Sequence, residues 1–165
     1  MQSLEYAAAT LYLWPMRLGA AWIRFLETMR ETVSIQEALV YVMVTMSAAD
    51  SSMTDAELAS IGEIVKILPI FRGFDTERIV KVAQDCGERL QNQDGLDEIL
   101  DLVADSLPAK LYDTAYALAV DVAAADLSVE QEELRLLQML RDRLSLDKLT
   151  VAAIERAAQA RHKVA

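Results

Sequence analysis

Two acidic pairs recur in this chain at a constant offset. Asp50 and Glu57 stand seven residues apart, and Asp126 and Glu133 repeat that spacing 76 residues later. The frames around them match: Ala48-Ala49-Asp50-Ser51-Ser52 precedes Glu57-Leu58, and Ala124-Ala125-Asp126-Leu127-Ser128 precedes Glu133-Leu134. Carboxylates at the end of one helix and the start of the next supply oxygen-only ligands, which suit hard divalent cations such as Ca²⁺ or Mg²⁺. The spacing is not that of an EF-hand. With Asp50 as first ligand, Asp55 falls where the invariant glycine belongs and Ile61 where the bidentate glutamate belongs. A cation site here is open and water-rich unless the two copies face each other and pool Asp50, Glu57, Asp126 and Glu133. Asp121, five residues before Asp126 and matched by Thr45 in the first copy, is a further candidate ligand beside the second loop.

The same residues have a purely structural use. An aspartate at a helix end bonds nearby backbone amides and organises the turn. Glu57 is the fourth residue of a Thr-x-x-Glu capping box that starts at Thr54. Glu133, in the first turn of its own helix, complements the positive end of the helix dipole. Capping and ligation both fit these residues.

Signatures of catalysis are missing. There is no Gly-rich phosphate loop, no Ser-His-Asp order and no paired-carboxylate motif. The single histidine, His162, sits between Arg161 and Lys163 near the C-terminus, as a surface residue does. The single cysteine, Cys86, excludes an intrachain disulfide framework and a Cys-based zinc site, and its apolar helical face suits a small core residue. Met29, Met43, Met46, Met53 and Met139 fall at helical spacings that predict core filling rather than soft-metal capture. The formal charge is −10, and residues 75–133 hold 15 acidic against 4 basic side chains. Nucleic acid is therefore not an expected partner, because phosphate binding needs clustered Lys and Arg.

The elements that must hold these residues are helices. Five Gly and three Pro in 165 residues leave little room for strand-and-turn architecture. A capping box at Ser34 to Glu37 opens a helix through Ala38, Val42 and Met46 to about Ala49; the box at Thr54 opens another, which Pro69 stops. Gly73 and Asp75 precede a helix with Ile79, Val82, Ala83, Cys86 and Leu90 on one face, and Asn92 to Gly95 forms a turn. Further helices follow over Leu96–Leu107, from Pro108 through Val122, from Leu134 to Leu144 with Leu134 and Leu137 on the apolar face, and over Leu149–His162.

An N-terminal segment, residues 1–33, precedes the domain at 34–165. It is strongly apolar, yet it lacks the basic start of a signal peptide, and Arg17, Arg24 and Pro15 argue against a spanning helix. An amphipathic helix restarted at Pro15 is expected instead, docked on its own domain, on a protein partner or on a membrane surface. An exposed stripe of Trp14, Leu18, Trp22 and Phe25 would make the chain a homo-oligomer. With this helix counted, the expected fold is all-α, a compact bundle of about eight helices built on two repeated helix–loop–helix units.

An apolar helix ending Ala-Ala-Asp, a short loop, and a glutamate seven residues after the aspartate, all occurring twice, resemble the TerB-like tellurite-resistance family. The resemblance covers about residues 34–145 and is strongest at Met46-Ser47-Ala48-Ala49-Asp50 and Asp121-Val122-Ala123-Ala124-Ala125-Asp126. It implies a bacterial, cytoplasmic, non-enzymatic stress-response protein, peripheral to the inner membrane if the N-terminal helix docks there. Metal or metalloid ions would be ligands of the acidic residues. Family members typically place glycine after the loop aspartate, where this chain has Ser51 and Leu127. A left-handed Leu127 would cost about 1–2 kcal/mol, which makes the second loop the weaker site. The other expectation, from a different class, is a helical module for a protein or membrane-surface partner with no metal site.

Overall fold

A computed structural model describes residues 31–163 apart from 51, 52 and 126–130, and describes Asp50 by its backbone only. Among the described residues there are seven α-helices and no strand. They are α1 (Ile35–Ser47), α2 (Asp55–Ile67), α3 (Arg78–Leu90), α4 (Gly95–Ser106), α5 (Tyr112–Ala125), α6 (Gln131–Arg143) and α7 (Lys148–Arg161). Short 3₁₀ turns, Ala48–Asp50, Pro69–Phe71 and Ala109–Leu111, follow α1, follow α2 and precede α5. The expected N-terminal helix lies outside the described residues. The others, apart from Glu31, belong to one unit, Thr32–Ala165.

Helix α1 is the hub. Every residue from Ala38 to Ser47 is buried, the pattern of a helix that is apolar all round rather than along one stripe. It packs against α5, α3, α4 and α2. Its start is set by the expected capping box: the Ser34 hydroxyl accepts the Glu37 N–H, and the Glu37 carboxylate accepts the Ser34 N–H at 3.1 Å. Helix α5 is the second buried helix, contributing Ala115, Tyr116, Leu118 and Ala119, and α7 closes its outer side. Cys86 is fully buried, as expected of a core residue, and burial pushes its thiol up to about 11. The core is one contiguous cluster.

Stops between helices follow local chemistry. Leu68 is extended (ψ 132°) ahead of Pro69, which ends α2. Gly95 starts α4 where a Cβ would lie 1.9 Å from the carbonyl oxygen of Arg89, so only glycine lets α3 and α4 turn this tightly. After α6, Leu146 N–H reaches the Arg141 carbonyl and Ser145 N–H the Asp142 carbonyl, with Ser145 at φ 52°. That is a Schellman ending with serine in the place that favours glycine.

One assignment of a buried face is corrected. Leu134 does not join the apolar face of α6; it is 56% exposed, whereas Leu136, Leu137, Leu140 and Leu144 are buried. Leucines at 134, 136, 137 and 140 allow two overlapping helical stripes, and packing on α4 and α5 selects the one through Leu136.

Candidate functional site

The first acidic loop is built from the end of α1 and the start of α2. The Ala48–Asp50 turn continues α1, and Thr54 caps α2. Thr54 Oγ1 accepts the Glu57 N–H at 3.3 Å, and Glu57 Oε2 accepts the Thr54 N–H at 2.6 Å. The structure thus gives Glu57 the capping role; its other oxygen, Oε1, takes no part in the box. Glu133 is half-buried in the first turn of α6. Asp121 is half-buried on α5, and its carboxylate accepts a charge-assisted hydrogen bond from Arg161 on α7. The Asp50 side chain and all of Asp126 fall outside the described residues. Among the described residues no three His, Cys, Asp or Glu side chains converge on a metal position. The structure does bring the turn ending in Asp50 against α6, the helix that carries Glu133.

That contact borders a groove of about 790 Å³ between the end of α1, α3, the start of α4 and the first half of α6. Its surface is mainly apolar, from Val44, Ala83, Leu90, Leu96, Leu136 and Met139, with Ala48, Ala49 and Met53 on the loop side. Thr45 is the buried polar residue among those lining it, and its hydroxyl is already engaged, donating to the Tyr41 carbonyl at 2.7 Å and meeting Cys86 Sγ at 3.3 Å. Charged side chains are Asp97, Glu132 and Arg135. Asp97 is held at 2.6 Å by Arg143, which also binds Asp101 one turn further along α4. Arg135 is exposed and makes no ion pair among the described residues.

Sequence reasoning missed this groove. Its walls come from residues 44 to 139, and its apolar part is made mostly of ordinary helix positions on four different helices. The local signal nearest to it is the cluster of small residues at Ala48, Ala49, Ala83 and Gly87, which leaves space where larger side chains would fill the gap.

Two tyrosines cross the core to carboxylates. Tyr41 on α1 donates to Asp85 on α3, and Tyr116 on α5 donates to Glu155 on α7 at 2.7 Å. Burial first, then the neighbouring carboxylate, pushes both phenols above their ordinary 10.0. In return the Tyr41 hydroxyl, with Arg89 beside it, holds Asp85 below the usual carboxylate range.

Comparison with protein-family models, with curated proteins and with solved structures gave no match to any of them. The TerB-like resemblance therefore stands on the residues that carry it, Ala48-Ala49-Asp50 and Ala124-Ala125-Asp126.

Proposed function

We propose that this chain is a TerB-like, non-enzymatic, cytoplasmic stress-response protein that holds a divalent cation of the Ca²⁺ or Mg²⁺ type at its two acidic loops. In this reading α1–α2 and α5–α6 are two copies of one helix–loop–helix unit. One observation carries it: the Ala48–Asp50 turn packs against α6, which begins five residues after Asp126 and carries Glu133 in its first turn. The pairing of α1 with α5 lays the first helices of the two copies against each other, which favours pooled ligands over two separate sites. Capping does not exclude ligation at Glu57, because the box uses one oxygen of its carboxylate. Asp121 joins only by exchanging Arg161 for the cation.

Thermal unfolding of the wild type and an Asp50→Ala/Asp126→Ala double variant tests this, with chelator, with millimolar Ca²⁺ or Mg²⁺, and with NaCl matched in ionic strength. A cation bound only to the folded state stabilises by about 1.4 kcal/mol at ten times Kd. The expected result is stabilisation of the wild type beyond the NaCl control and none in the variant. Curves that differ by a fixed offset, independent of cation, would make the acids helix caps and nothing more.

A further inference from the structure

We propose that the groove between α1, α3, α4 and α6 receives an amphipathic helix of a partner protein, apolar on its buried face and basic along its edges. This goes beyond the cation site and does not depend on it. Three observations on the groove select this occupant.

The first is that no buried polar group among the described residues is free; the other polar side chains lining the groove, Gln91, Gln93, Asp97, Glu132 and Arg135, are exposed. A small polar ligand is oriented by a few convergent donors or acceptors within an apolar pocket. Here the Thr45 hydroxyl is spent on Tyr41 and Cys86, and no buried side-chain N or O among the described residues lacks a partner. The buried face of the occupant is therefore apolar, and its polar contacts lie at the edges.

The second is shape. Ala48, Ala49, Ala83 and Gly87 are small residues on the groove surface, and nothing lies within 4 Å of where a Gly87 Cβ would stand. Small residues let a partner backbone come close. Met53 and Met139 add unbranched, adaptable side chains of the kind that mould to an incoming apolar face. A helix fits such a groove through anchors at i, i+3 or i+4, and i+7.

The third is charge. Glu132 is exposed beside the groove, and Asp97 with Asp101 shares the single guanidinium of Arg143, which leaves that corner net negative. The stretch 75–133, which supplies α3, α4 and the approach to α6, is net −11 from 15 acidic and 4 basic residues. A basic edge is attracted and an acidic one repelled. Arg135, the one basic residue lining the groove among the described residues, makes no ion pair with any of them, so it fits an acidic residue of the partner and sets the direction in which the helix lies.

The test uses the full chain and a synthetic Leu/Lys amphipathic peptide of about 18 residues, or five helical turns. Controls are a scrambled peptide of equal composition, a Leu/Glu counterpart and anionic lipid vesicles. Calorimetry gives affinities, and the Met53 and Met139 methyl signals report the location. The expected result is preferential binding of the Leu/Lys helix with both methyls shifted. Binding should weaken at least tenfold for the scrambled peptide, for Glu132→Arg and for Ala83→Trp, which fills the groove. Equal binding of the scrambled peptide overturns the proposal, as does a preference for the acidic peptide or the vesicles. So do unshifted methyls in the wild type, a readout that stands even if Ala83→Trp fails to fold.

Discussion

At the scale of single residues, the capping role of Glu57 and the ligand role proposed for it can be separated by substitution. Glu57→Gln keeps the Thr-x-x-Gln form of the capping box, so stability changes by only a few tenths of a kcal/mol, while any cation stabilisation falls. Thr54→Ala removes the cap from α2 and costs about 1 kcal/mol, with cation response retained. Chemical denaturation of both variants with and without Ca²⁺ checks the pair; a large loss in Glu57→Gln without cation would show that its charge matters beyond the box. Both capping boxes were legible in the sequence because donor and acceptor lie three residues apart. The bond from Tyr41 to Asp85 was not, since its partners are 44 residues apart and meet only once α3 packs on α1. Tyr41→Phe leaves Asp85 with its basic neighbours Arg89 and Lys81 and should lower stability at neutral pH by about 1 kcal/mol, allowing for solvent screening at a partly exposed carboxylate.

At the scale of elements, the helix ends and turns give sharper contrasts. Ser145 holds a left-handed conformation at the end of α6, so Ser145→Gly should stabilise by up to about 1 kcal/mol, read as a higher Tm. Gly62 lies inside α2 with nothing within 4 Å of a new Cβ, so Gly62→Ala should also stabilise, by about 0.5–1 kcal/mol. Gly95→Ala forces a Cβ onto the Arg89 carbonyl and should destabilise by about 2 kcal/mol or more. Equal Tm values for Gly62→Ala and Gly95→Ala would contradict the close approach of α3 and α4. Sequence periodicity located all seven described helices, because each carries an apolar stripe or a cap of its own. It misplaced Leu134, because the choice between two overlapping leucine stripes belongs to the neighbouring helices. The groove was illegible for a related reason: a space between four helices leaves no pattern in any one of them.

At the scale of the whole molecule, two effects of acid oppose each other. Glu37, Asp85 and Asp147 are each held below their ordinary values, Glu37 by the Ser34 hydroxyl, Asp85 by Tyr41 and Asp147 by Thr150. A depressed carboxylate stabilises the fold above its ordinary value of 4.5 for glutamate or 3.8 for aspartate, and that contribution is lost as pH falls toward the folded value. Against this, protonation relieves the self-repulsion of a chain with formal charge −10. At 0.15 M salt the Debye length is about 8 Å, so repulsion across the surface is largely screened while hydrogen bonds near 3 Å are not. The local contacts win, and Tm should fall steadily from pH 5 to pH 3. Tyr41 and Tyr116 set the opposite edge: their raised phenols stabilise the fold below pH 10 and lose that contribution as pH climbs above it. A stability plateau from about pH 5 to pH 9 that drops on both sides is therefore expected from thermal unfolding across the range. Tyr41→Phe should flatten both edges at once, since one bond links an acid-side and an alkaline-side group. A Tm that rises through pH 4 in 0.15 M salt would mean that the excess of surface carboxylates, and not the helix caps and buried tyrosines, governs the acid response.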